Sequence, residues 1–493
     1  MKKFLPLLLI LFFASSCLVS KKYDPSRKFS PQELREDYGL FRNILEESHP
    51  SLYWYTPKDS VDYYFENGYT RLNDSLPEYK FRNILSYVVA KFRCGHTSVM
   101  SSEAAIKYSG KTRSFALPLS VKAWPDTVMV TFNLNKKDSN VTPGVLIRSI
   151  EDRPIQTIVD SFFTYLSGDG YNTTHKYQTL SNGGMFRNMY GSIYGLRQKM
   201  KVDYVDTTGH FKTAMVDVYN PSADTPHAKP PVKKISRKER KKLILQAIRN
   251  VEIDTGLHTA FMEVNGFTKN FRLRKFFRQS FKKLKKENVQ HLVIDLRGNG
   301  GGSVVLSNLL TKYIANEPFK IADSIYALHR KSHYHKYIDN YLQSRLFLIF
   351  LARKKTDGHY HFSYYERKYF KPKTKNHFNG NVYVLTGGNT FSAATLFAKT
   401  LKGQSNVTIV GEETGGGAYG NTAWLIPEVT LPHTKVRFRL PLFRLVIDKN
   451  EQKGRGVIPE IKSLPTTNNI RRNTDFKMEK VIELIKEKNA AVR

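Results

Sequence analysis

The sequence contains very little cysteine. Only two of its 493 residues are cysteines, Cys17 and Cys94. This excludes the dense disulfide framework that holds many small exported domains together. If Cys17 is modified at the end of the N-terminal segment, Cys94 has no partner in the chain, and no intrachain disulfide is expected. The fold must then come from hydrophobic cores, and a composition of 40% hydrophobic and 13% aromatic residues can supply them.

Long hydrophobic runs are almost absent as well. One extended run lies at 4–13, after Met1-Lys2-Lys3 and before the small residues at 14–16. A positive start, a short apolar stretch and small residues are typical of a secretory signal peptide. The run is shorter than the ~20 residues that span a bilayer, and the next candidate, 346–352, is shorter still. The sequence therefore predicts an exported protein without a permanent transmembrane helix.

Cys17 directly follows these small residues, and the arrangement resembles the processing site of bacterial lipoproteins. The resemblance implies a lipoprotein-type signal peptide at 1–17 and a lipid anchor on Cys17. Ordinary cleavage nearby is the alternative. The segment LVSKKYD after the cysteine has no acidic cluster. We therefore expect a membrane-anchored protein in the cell envelope of a bacterium, facing the periplasm, with the choice of membrane left open.

Acidic residues are few compared with basic ones. The chain has 78 Lys and Arg against 43 Asp and Glu, a formal net charge of +35. Two runs, 233–242 and 272–286, concentrate the positive charge. Export and the lack of interleaved stacking aromatics argue against a nucleic acid partner. We interpret the runs as solvated helix faces and a linker, with attraction to anionic lipid or envelope polymer as the alternative.

The mature chain divides into regions of different hydrophobic pattern. Ser30-Pro31-Gln32-Glu33 has the cap, the first-turn proline and the third-position acid of a helix start. Later segments alternate apolar strands with amphipathic helices, which predicts an α/β domain. The predicted regions are an N-terminal helical domain at 18–110 that carries His96, a β-rich region at 111–219, a basic Pro/Lys-rich linker or insertion at 220–250, an α/β catalytic domain at 251–470 and a C-terminal helix at 471–493.

Two strand-turn-helix segments could hold a reactive site. In VYVLTGGNTFSAATLF, Ser392 lies where the turn enters the helix, so it either caps the helix or acts as a nucleophile. In HLVIDLRGNGGGS, glycines follow a buried strand and present main-chain N–H groups. If the two strands are neighbours, the N–H groups of Gly301, Gly302 and Ala393 meet in one crevice and can stabilise an oxyanion. Phosphate binding is a weaker interpretation, because no G-K-[ST] or G-x-G-x-x-G context is present.

Together these motifs resemble the tail-specific, or C-terminal processing, and tricorn-like serine peptidase superfamily. The resemblance implies an α/β fold with a ClpP/crotonase-like catalytic domain, an N-terminal helical domain and a PDZ-like domain. It also implies peptide-bond hydrolysis without a cofactor. The segments that carry it are CGHTSV at 94–99, VIDLRGNGGGS at 293–303, NTFSAATLF at 389–397, TIVGEETGGG at 408–417 and GRGVIPE at 454–460, with a PDZ-like segment at 144–163.

Departures from the family pattern select one branch. The Ser-Lys dyad enzymes have a lysine about 25 residues after the serine, where this chain has Gly417. The tricorn-like branch uses an upstream histidine, which corresponds to His96, and an acid after the nucleophile, which corresponds to Glu451 or Asp448. Histidine suits the task because its side chain titrates near neutral pH. Gly95 stands where that branch has a serine, which is a further departure from its pattern.

The sequence therefore predicts a serine peptidase in which Ser392 attacks the carbonyl and His96 is general base and then acid. Its partners would be a peptide or protein substrate and a membrane. A thiol nucleophile at Cys94 and a zinc site among the histidines at 329–361 are weaker alternatives, since no HExxH or acidic ligand accompanies those histidines. The rival function is a decayed peptidase fold that binds peptides or apolar ligands. A crotonase-like acyl-thioester enzyme is a third possibility.

Overall fold

The computed structural model describes residues 23–138, 140–222 and 235–491. Cys17 and the signal segment lie outside these residues. The N-terminal region is mainly helical. Its elements are β1 (Lys28–Phe29), α1 (Pro31–Ser48), α2 (Lys58–Tyr69), β2 (Leu76–Pro77), α3 (Glu78–Lys91), β3 (Val99–Met100) and α4 (Glu103–Ser109).

Helix α1 begins as its sequence predicts. The Ser30 side chain accepts the N–H of Glu33, and the Glu33 carboxylate accepts the N–H of Ser30 at 2.8 Å. This reciprocal pair satisfies two N–H groups that the start of a helix leaves without partners. The apolar face of α1 is buried together with α2 and α3, and the same core takes in Val429 and Phe438 from far along the chain. The helical region is therefore packed directly onto the catalytic region.

The next region is an antiparallel sheet with three helices. Its strand order is β4-β5-β6-β8-β9, with β7 paired to β6. It has a hydrophobic core of its own, in which Val130 and Ile147 from the sheet meet Phe162 and Phe186 from the helices. The elements are β4 (Leu119–Trp124), β5 (Thr127–Asn133), β6 (Leu146–Ile150), β7 (Arg153–Pro154), α5 (Ile155–Phe163), α6 (Thr174–Ser181), α7 (Met185–Tyr194), β8 (Lys199–Val205) and β9 (Phe211–Asp217).

The rest of the chain forms the α/β region. Besides short 3-10 turns at Lys269–Phe271 and His335–Tyr337, this region contains the following helices and strands. These are α8 (Arg237–Ile248), β10 (Arg249–Asp254), β11 (Thr259–Val264), α9 (Leu273–Lys286), β12 (His291–Asp295), α10 (Val304–Thr311), β13 (Ser324–Ala327), α11 (Tyr341–Leu351), β14 (Arg353–Lys354), β15 (Tyr360–His361), α12 (Ser363–Arg367), β16 (Asn381–Thr386), α13 (Ala393–Leu401), β17 (Val407–Gly411), β18 (Gly420–Asn421), β19 (Glu428–Thr430), β20 (Arg437–Arg439), β21 (Arg444–Val446), β22 (Ile461–Lys462), α14 (Thr467–Arg472) and α15 (Phe476–Ala491).

The central sheet of this region has the order β10-β11-β12-β16-β17-β22. In this sheet, strands β11, β12, β16, β17 and β22 run parallel, and β10 is an antiparallel edge strand. Both faces are covered. Leu292 and Ile294 of β12 face the core that holds α10 and α13, whereas Val293 faces Val481 and Ile485 of α15. Because β12 and β16 are adjacent and parallel, the two turns that follow them lie at the same edge of the sheet.

The predicted α/β fold class is confirmed, and the strands and helices of both strand-turn-helix segments lie where the sequence predicts them. In the predicted linker or insertion at 220–250, residues 223–234 lie outside the described residues, and 237–248 form helix α8. The Ser236 side chain caps this helix by accepting the N–H of Glu239. In the described part of the chain, no helix is long and apolar enough to cross a membrane. The PDZ-like assignment and the domain boundaries stay predictions.

Candidate active site

Ser392 lies in the turn between β16 and α13 and has a strained backbone, with φ 53° and ψ −121°. A non-glycine residue in this region costs on the order of 1–3 kcal/mol, and such strain persists where the surroundings impose it. Thr390 helps to impose it, because its Oγ1 accepts the Gly387 N–H at 3.0 Å and donates to the Leu296 carbonyl at 2.8 Å. The Ser392 side chain makes no capping hydrogen bond. Its hydroxyl is therefore left for chemistry, and the helix-cap interpretation lacks the contact that it requires.

The glycine loop lies directly against this turn. A Cβ atom at Gly301 would be 2.7 Å from the Ser392 Cβ and 2.9 Å from the Ala393 nitrogen. Gly301 and Gly302 also have positive φ angles, 98° and 121°. Both the close approach and the backbone conformation demand glycine. The predicted meeting of the two turns at one point is thus what the structure shows.

The three predicted oxyanion donors are not equivalent. The Gly301 N–H already donates to Asn299 Oδ1 at 2.9 Å, while its carbonyl accepts from Phe267. The N–H groups of Gly302 and Ala393 donate no hydrogen bond within the described residues. Ala393 is the first residue of α13, where backbone N–H groups have no partner in the helix. Gly301 therefore shapes the loop, and Gly302 and Ala393 supply the free donors.

His96 reaches the same cleft from the turn between α3 and β3. Its ring lies 4.9 Å from the ring of Phe391, the residue before the serine, and it is buried. Gly95 is required here, because a Cβ atom would lie 2.5 Å from the Phe391 ring. Neither imidazole nitrogen has a hydrogen-bond partner among the described residues. A buried imidazole without partners is costly, and a substrate or the serine hydroxyl could satisfy it.

Neutral side chains hold the turn that carries His96. Ser51 donates its N–H to His49 Nδ1 at 3.2 Å, so His49 Nε2–H donates to Thr97 Oγ1 at 2.7 Å. Thr97 in turn donates to Cys94 Sγ at 3.2 Å. Burial lowers the pKa of His49 to about 3 and raises the pKa of the Cys94 thiol to about 11. Cys94 is thus a buried thiol with a structural contact, which disfavours the thiol-nucleophile alternative.

The acid beside His96 is Asp169. Its Oδ1 lies 3.7 Å from His96 Nδ1 and accepts the Gly95 N–H at 2.8 Å, while Oδ2 accepts the Gly417 N–H at 3.2 Å. Sequence reasoning missed this residue. It comes from the loop between α5 and α6 in the β-rich region, and its only signal was a pair of flanking glycines, which is typical of any turn.

The expectation that Glu451 or Asp448 orients His96 needs correction. Both carboxylates bind Lys399 Nζ, Asp448 at 2.9 Å and Glu451 at 3.2 Å. Lys399 lies on α13 and is only 16% exposed, so this half-buried cation attracts both acids. Within the described residues, no contact joins either acid to His96.

Gly417, at the position of the dyad lysine, has no space for a side chain. A Cβ atom there would lie 2.4 Å from the Gly420 carbonyl oxygen, which is fixed backbone. The Gly417 N–H is used to hold Asp169. A lysine at this position would displace the backbone that supports the histidine. The local structure therefore leaves no space for a dyad lysine at this position.

A second histidine, His175, also lines the cleft and was missed by the sequence analysis. It lies on α6, its ring is 4.8 Å from the Phe391 ring, and its Nδ1 donates to the Gly388 carbonyl at 2.8 Å. This hydrogen bond leaves Nε2 as an acceptor. Burial lowers the pKa of His175, which favours the neutral ring. No motif around it in the sequence marked it as part of a site.

These residues surround a cleft of about 780 Å³. Its size is within the range of about 300–1,000 Å³ that is usual for ligand-binding sites. The lining also includes the apolar or aromatic side chains of Tyr365, Leu396, Trp424, Leu425 and Ile426. The predicted alternative of a zinc site finds no support, because no group of three or more His, Cys, Asp or Glu in the described ranges is placed to hold a metal.

A strained serine at a helix entrance, in one cleft with a buried histidine and free N–H donors, is the arrangement that acyl transfer by a serine hydrolase requires. Residues 258–463 match the sequence model of peptidase family S41. The match confirms the resemblance to tail-specific serine peptidases that the motifs indicated, and the protein is a serine peptidase. No curated protein matches the sequence significantly.

Solved structures of CPAF show the same fold over nearly the whole chain. Mature CPAF has 13% identity and a TM-score of 0.61, with 92% of this chain and 96% of CPAF covered. A serine-to-alanine mutant of CPAF has 14% identity and a TM-score of 0.64, with 93% of this chain and 97% of that chain covered. Mature CPAF complexed with lactacystin has 15% identity and a TM-score of 0.61, with 93% of this chain and 98% of that chain covered. Identities this low support a shared fold and leave the roles of individual residues as predictions.

Proposed function

We propose that this serine peptidase hydrolyses peptide bonds in envelope or exported polypeptides with Ser392 as nucleophile and His96 as general base. The observation that carries the proposal is the uncapped, strained Ser392 beside a buried imidazole whose nitrogens have no partners among the described residues. A hydroxyl is a weak nucleophile until a neighbouring base takes its proton, and an imidazole in the same cleft is suited to do so.

The reaction follows from this arrangement. His96 takes the proton of Ser392 Oγ as the oxygen attacks the scissile carbonyl carbon, and the N–H groups of Gly302 and Ala393 stabilise the oxyanion. His96 then gives the proton to the leaving amine, and the carbon–nitrogen bond breaks. Water, activated by the same imidazole, hydrolyses the acyl-enzyme. Asp169 holds the imidazole and stabilises its charged form.

The site without substrate is loose. No hydrogen bond joins Ser392 to His96 within the described residues, and Asp169 lies beyond hydrogen-bond distance of the imidazole at 3.7 Å. Catalytic hydrogen bonds often tighten only when substrate binds. The same looseness favours a second candidate function, a peptide carrier that has lost activity, and the experiment below separates the two.

We also infer where a substrate chain is held outside the cleft. Strand β4 at one edge of the β-rich sheet is covered by α6, and its Ala123 N–H is taken by Ser181 Oγ at 2.9 Å. Strand β9 is the opposite edge, and its Phe211 and Met215 are exposed. An extended peptide adding to β9 would gain main-chain hydrogen bonds and apolar contacts. This is the binding role expected of the PDZ-like domain.

The proposal includes a lipid anchor at Cys17 in the bacterial cell envelope, with the enzyme facing the periplasm. The small residues before Cys17 and the absence of an acidic cluster after it support this location. Metabolic labelling with a fatty acid analogue should label the protein, and Cys17→Ser should abolish labelling and release the protein from membranes. An equally labelled Cys17→Ser protein would rule out the anchor.

A fluorophosphonate probe tests the catalytic assignment. The wild-type protein should react covalently, Ser392→Ala should not, and Ser405→Ala, which changes an exposed serine, should react like wild type. Thermal unfolding of each protein checks that the fold is retained. If the folded wild-type protein stays unlabelled and cleaves no peptide yet binds one, the carrier function replaces the proposal.

A further inference from the structure

A second concave feature shares no lining residue with the cleft and is strongly basic. A groove of about 570 Å³ between α8 and the start of α9 has no acidic residue in its lining. Leu245 and Gln246 complete its wall. Its six cationic residues are Arg237, Lys238, Lys241, Lys242, Arg249 and Arg272.

These cations have no counter-charge of their own. None of the six makes an ion pair within the described ranges, although many other surface cations do. Arg249 is the most enclosed of them. Its Nε is buried without a hydrogen-bond partner in the described part, and its guanidinium lies 4.6 Å from the Phe276 ring centroid. Burial, together with the nearby charge of Arg272, lowers the pKa of Arg249.

The lining of the groove supplies no negative charge, so a bound anion would be its counter-charge. Guanidinium groups fit the oxygen geometry of phosphate with paired hydrogen bonds, and lysines add charge around it. A phosphate group would satisfy Arg249 and relieve the repulsion among its neighbours. The groove alone does not distinguish a soluble phosphate from one on a lipid headgroup.

Helix α8 supplies that distinction. None of its residues is buried, and Leu243 and Ile244 are 51% and 50% exposed beside the lysines. Exposed aliphatic side chains do not contribute to the binding of a soluble anion. Helices that lie at a membrane surface, in contrast, combine basic residues with apolar ones that enter the headgroup layer. Helix α9 extends the positive surface with cationic side chains that are exposed and make no ion pair among the described residues. These are Arg274, Lys275, Arg278, Lys282, Lys283, Lys285 and Lys286.

We propose that the groove and the outer faces of α8 and α9, together the basic face, bind the phosphate headgroups of an anionic lipid surface. Leu243 and Ile244 enter the interfacial layer while the lysines and arginines contact phosphates. This site is separate from the catalytic residues and does not depend on their roles. An anionic lipid surface would balance the positive charge that is concentrated on the basic face.

Vesicle sedimentation tests the proposal in the full chain carrying Cys17→Ser, which removes the proposed lipid anchor. The protein should sediment with vesicles that contain phosphatidylglycerol, bind phosphatidylcholine vesicles much more weakly, and dissociate as salt is raised. Lys241→Glu with Lys242→Glu should weaken binding by about tenfold or more, because each basic residue near an anionic membrane contributes to attraction. Lys136→Glu with Lys137→Glu makes the same change in net charge on exposed residues elsewhere and should bind like the parent protein.

Two further arms separate the sources of phosphate. Leu243→Ser with Ile244→Ser should weaken vesicle binding but leave binding of inositol hexaphosphate, a soluble phosphate probe, unchanged. The proposal is overturned by equal loss in the Lys136 and Lys137 control, by equal binding to both vesicle types, or by binding of the soluble probe without vesicle binding. A dimer by light scattering that dissociates in the Leu243 and Ile244 variant would also overturn it, because a second copy would then cover the face.

Discussion

Asp169 and His96 come from different regions of the chain, yet the Asp169 carboxylate lies 3.7 Å from the imidazole. The same carboxylate binds the main chain on both sides of the site, at Gly95 beside the histidine and at Gly417 beside the glycine-rich strand end. One buried acid thus fixes the histidine turn to the catalytic region. Its position depends on the docking of the β-rich region, so the proposed mechanism requires that region.

Replacing this acid should therefore impair catalysis more than replacing the acids that the sequence favoured. We expect Asp169→Asn to lower kcat by roughly 10²–10⁴-fold, since a carboxylate that orients a catalytic imidazole has effects of that size. Glu451→Gln and Asp448→Asn should each lose only part of the Lys399 ion pair and keep most of the activity. Rates of fluorophosphonate labelling and peptide cleavage measure this. A larger loss at Glu451 than at Asp169 would contradict the assignment.

The two histidines of the cleft should behave differently. His96→Ala should lower kcat by at least about 10²-fold, because it removes the base that activates the serine. His175 is fixed by its hydrogen bond to the Gly388 carbonyl, and its free Nε2 can accept an N–H from substrate. His175→Ala should therefore raise KM more than it lowers kcat. Peptide hydrolysis over a range of substrate concentrations gives both constants, and the reverse pattern would make His175 the base.

The sequence contained enough to predict the turns that meet at Ser392. Apolar runs followed by glycines mark β12 and β16, and neighbouring parallel strands bring their following turns together whatever the rest of the fold does. Gly301 and Ala393 could be paired on that basis. His96 was found through motif resemblance, since nothing local predicts which domain delivers a histidine.

Asp169, His175 and helix α8 illustrate what sequence patterns leave out. Asp169 and His175 reach the cleft only because α6 and the loop before it dock against the nucleophile turn, and such docking depends on tertiary packing. Asp448 and Glu451 were predicted from the family's spacing, but both form ion pairs with Lys399 on α13. The bounds of helix α8 within the predicted linker or insertion could not be given, because the helix is mostly basic and buries nothing, so no apolar periodicity marks it.

Gly301 and Gly300 offer a matched test of the close approach at the nucleophile. A Cβ atom at Gly301 would meet the Ser392 Cβ at 2.7 Å and the Phe391 carbonyl at 2.8 Å, whereas a Cβ atom at Gly300 would meet nothing within 4 Å. Gly301→Ala should displace the turn, cost about 1–3 kcal/mol of stability and abolish most labelling by fluorophosphonate. Gly300→Ala should retain both stability and labelling. Equal effects of the two changes would mean that the loop is not held against Ser392.

His49 should make the fold sensitive to acid. Its pKa is about 3 in the folded protein against 6.5 for an ordinary histidine, because its fully buried ring is not solvated. The unfolded chain therefore binds the proton first, so this stability is fully present above pH 6.5 and is lost progressively as pH falls toward 3. Protonation of Nδ1 would also break the hydrogen bond from Ser51 and loosen the turn that carries His96.

Urea unfolding at two pH values measures this contribution. Between about pH 8 and pH 5.5 the wild-type protein should lose about 1.4 kcal/mol more than His49→Gln, in which the titrating group is absent. The contact of His49 with Thr97 should persist in the folded enzyme over this range, because His49 takes up a proton there only as the pH approaches 3. If wild type and His49→Gln lose stability in parallel, His49 is not the group that links acidity to the integrity of the catalytic turn.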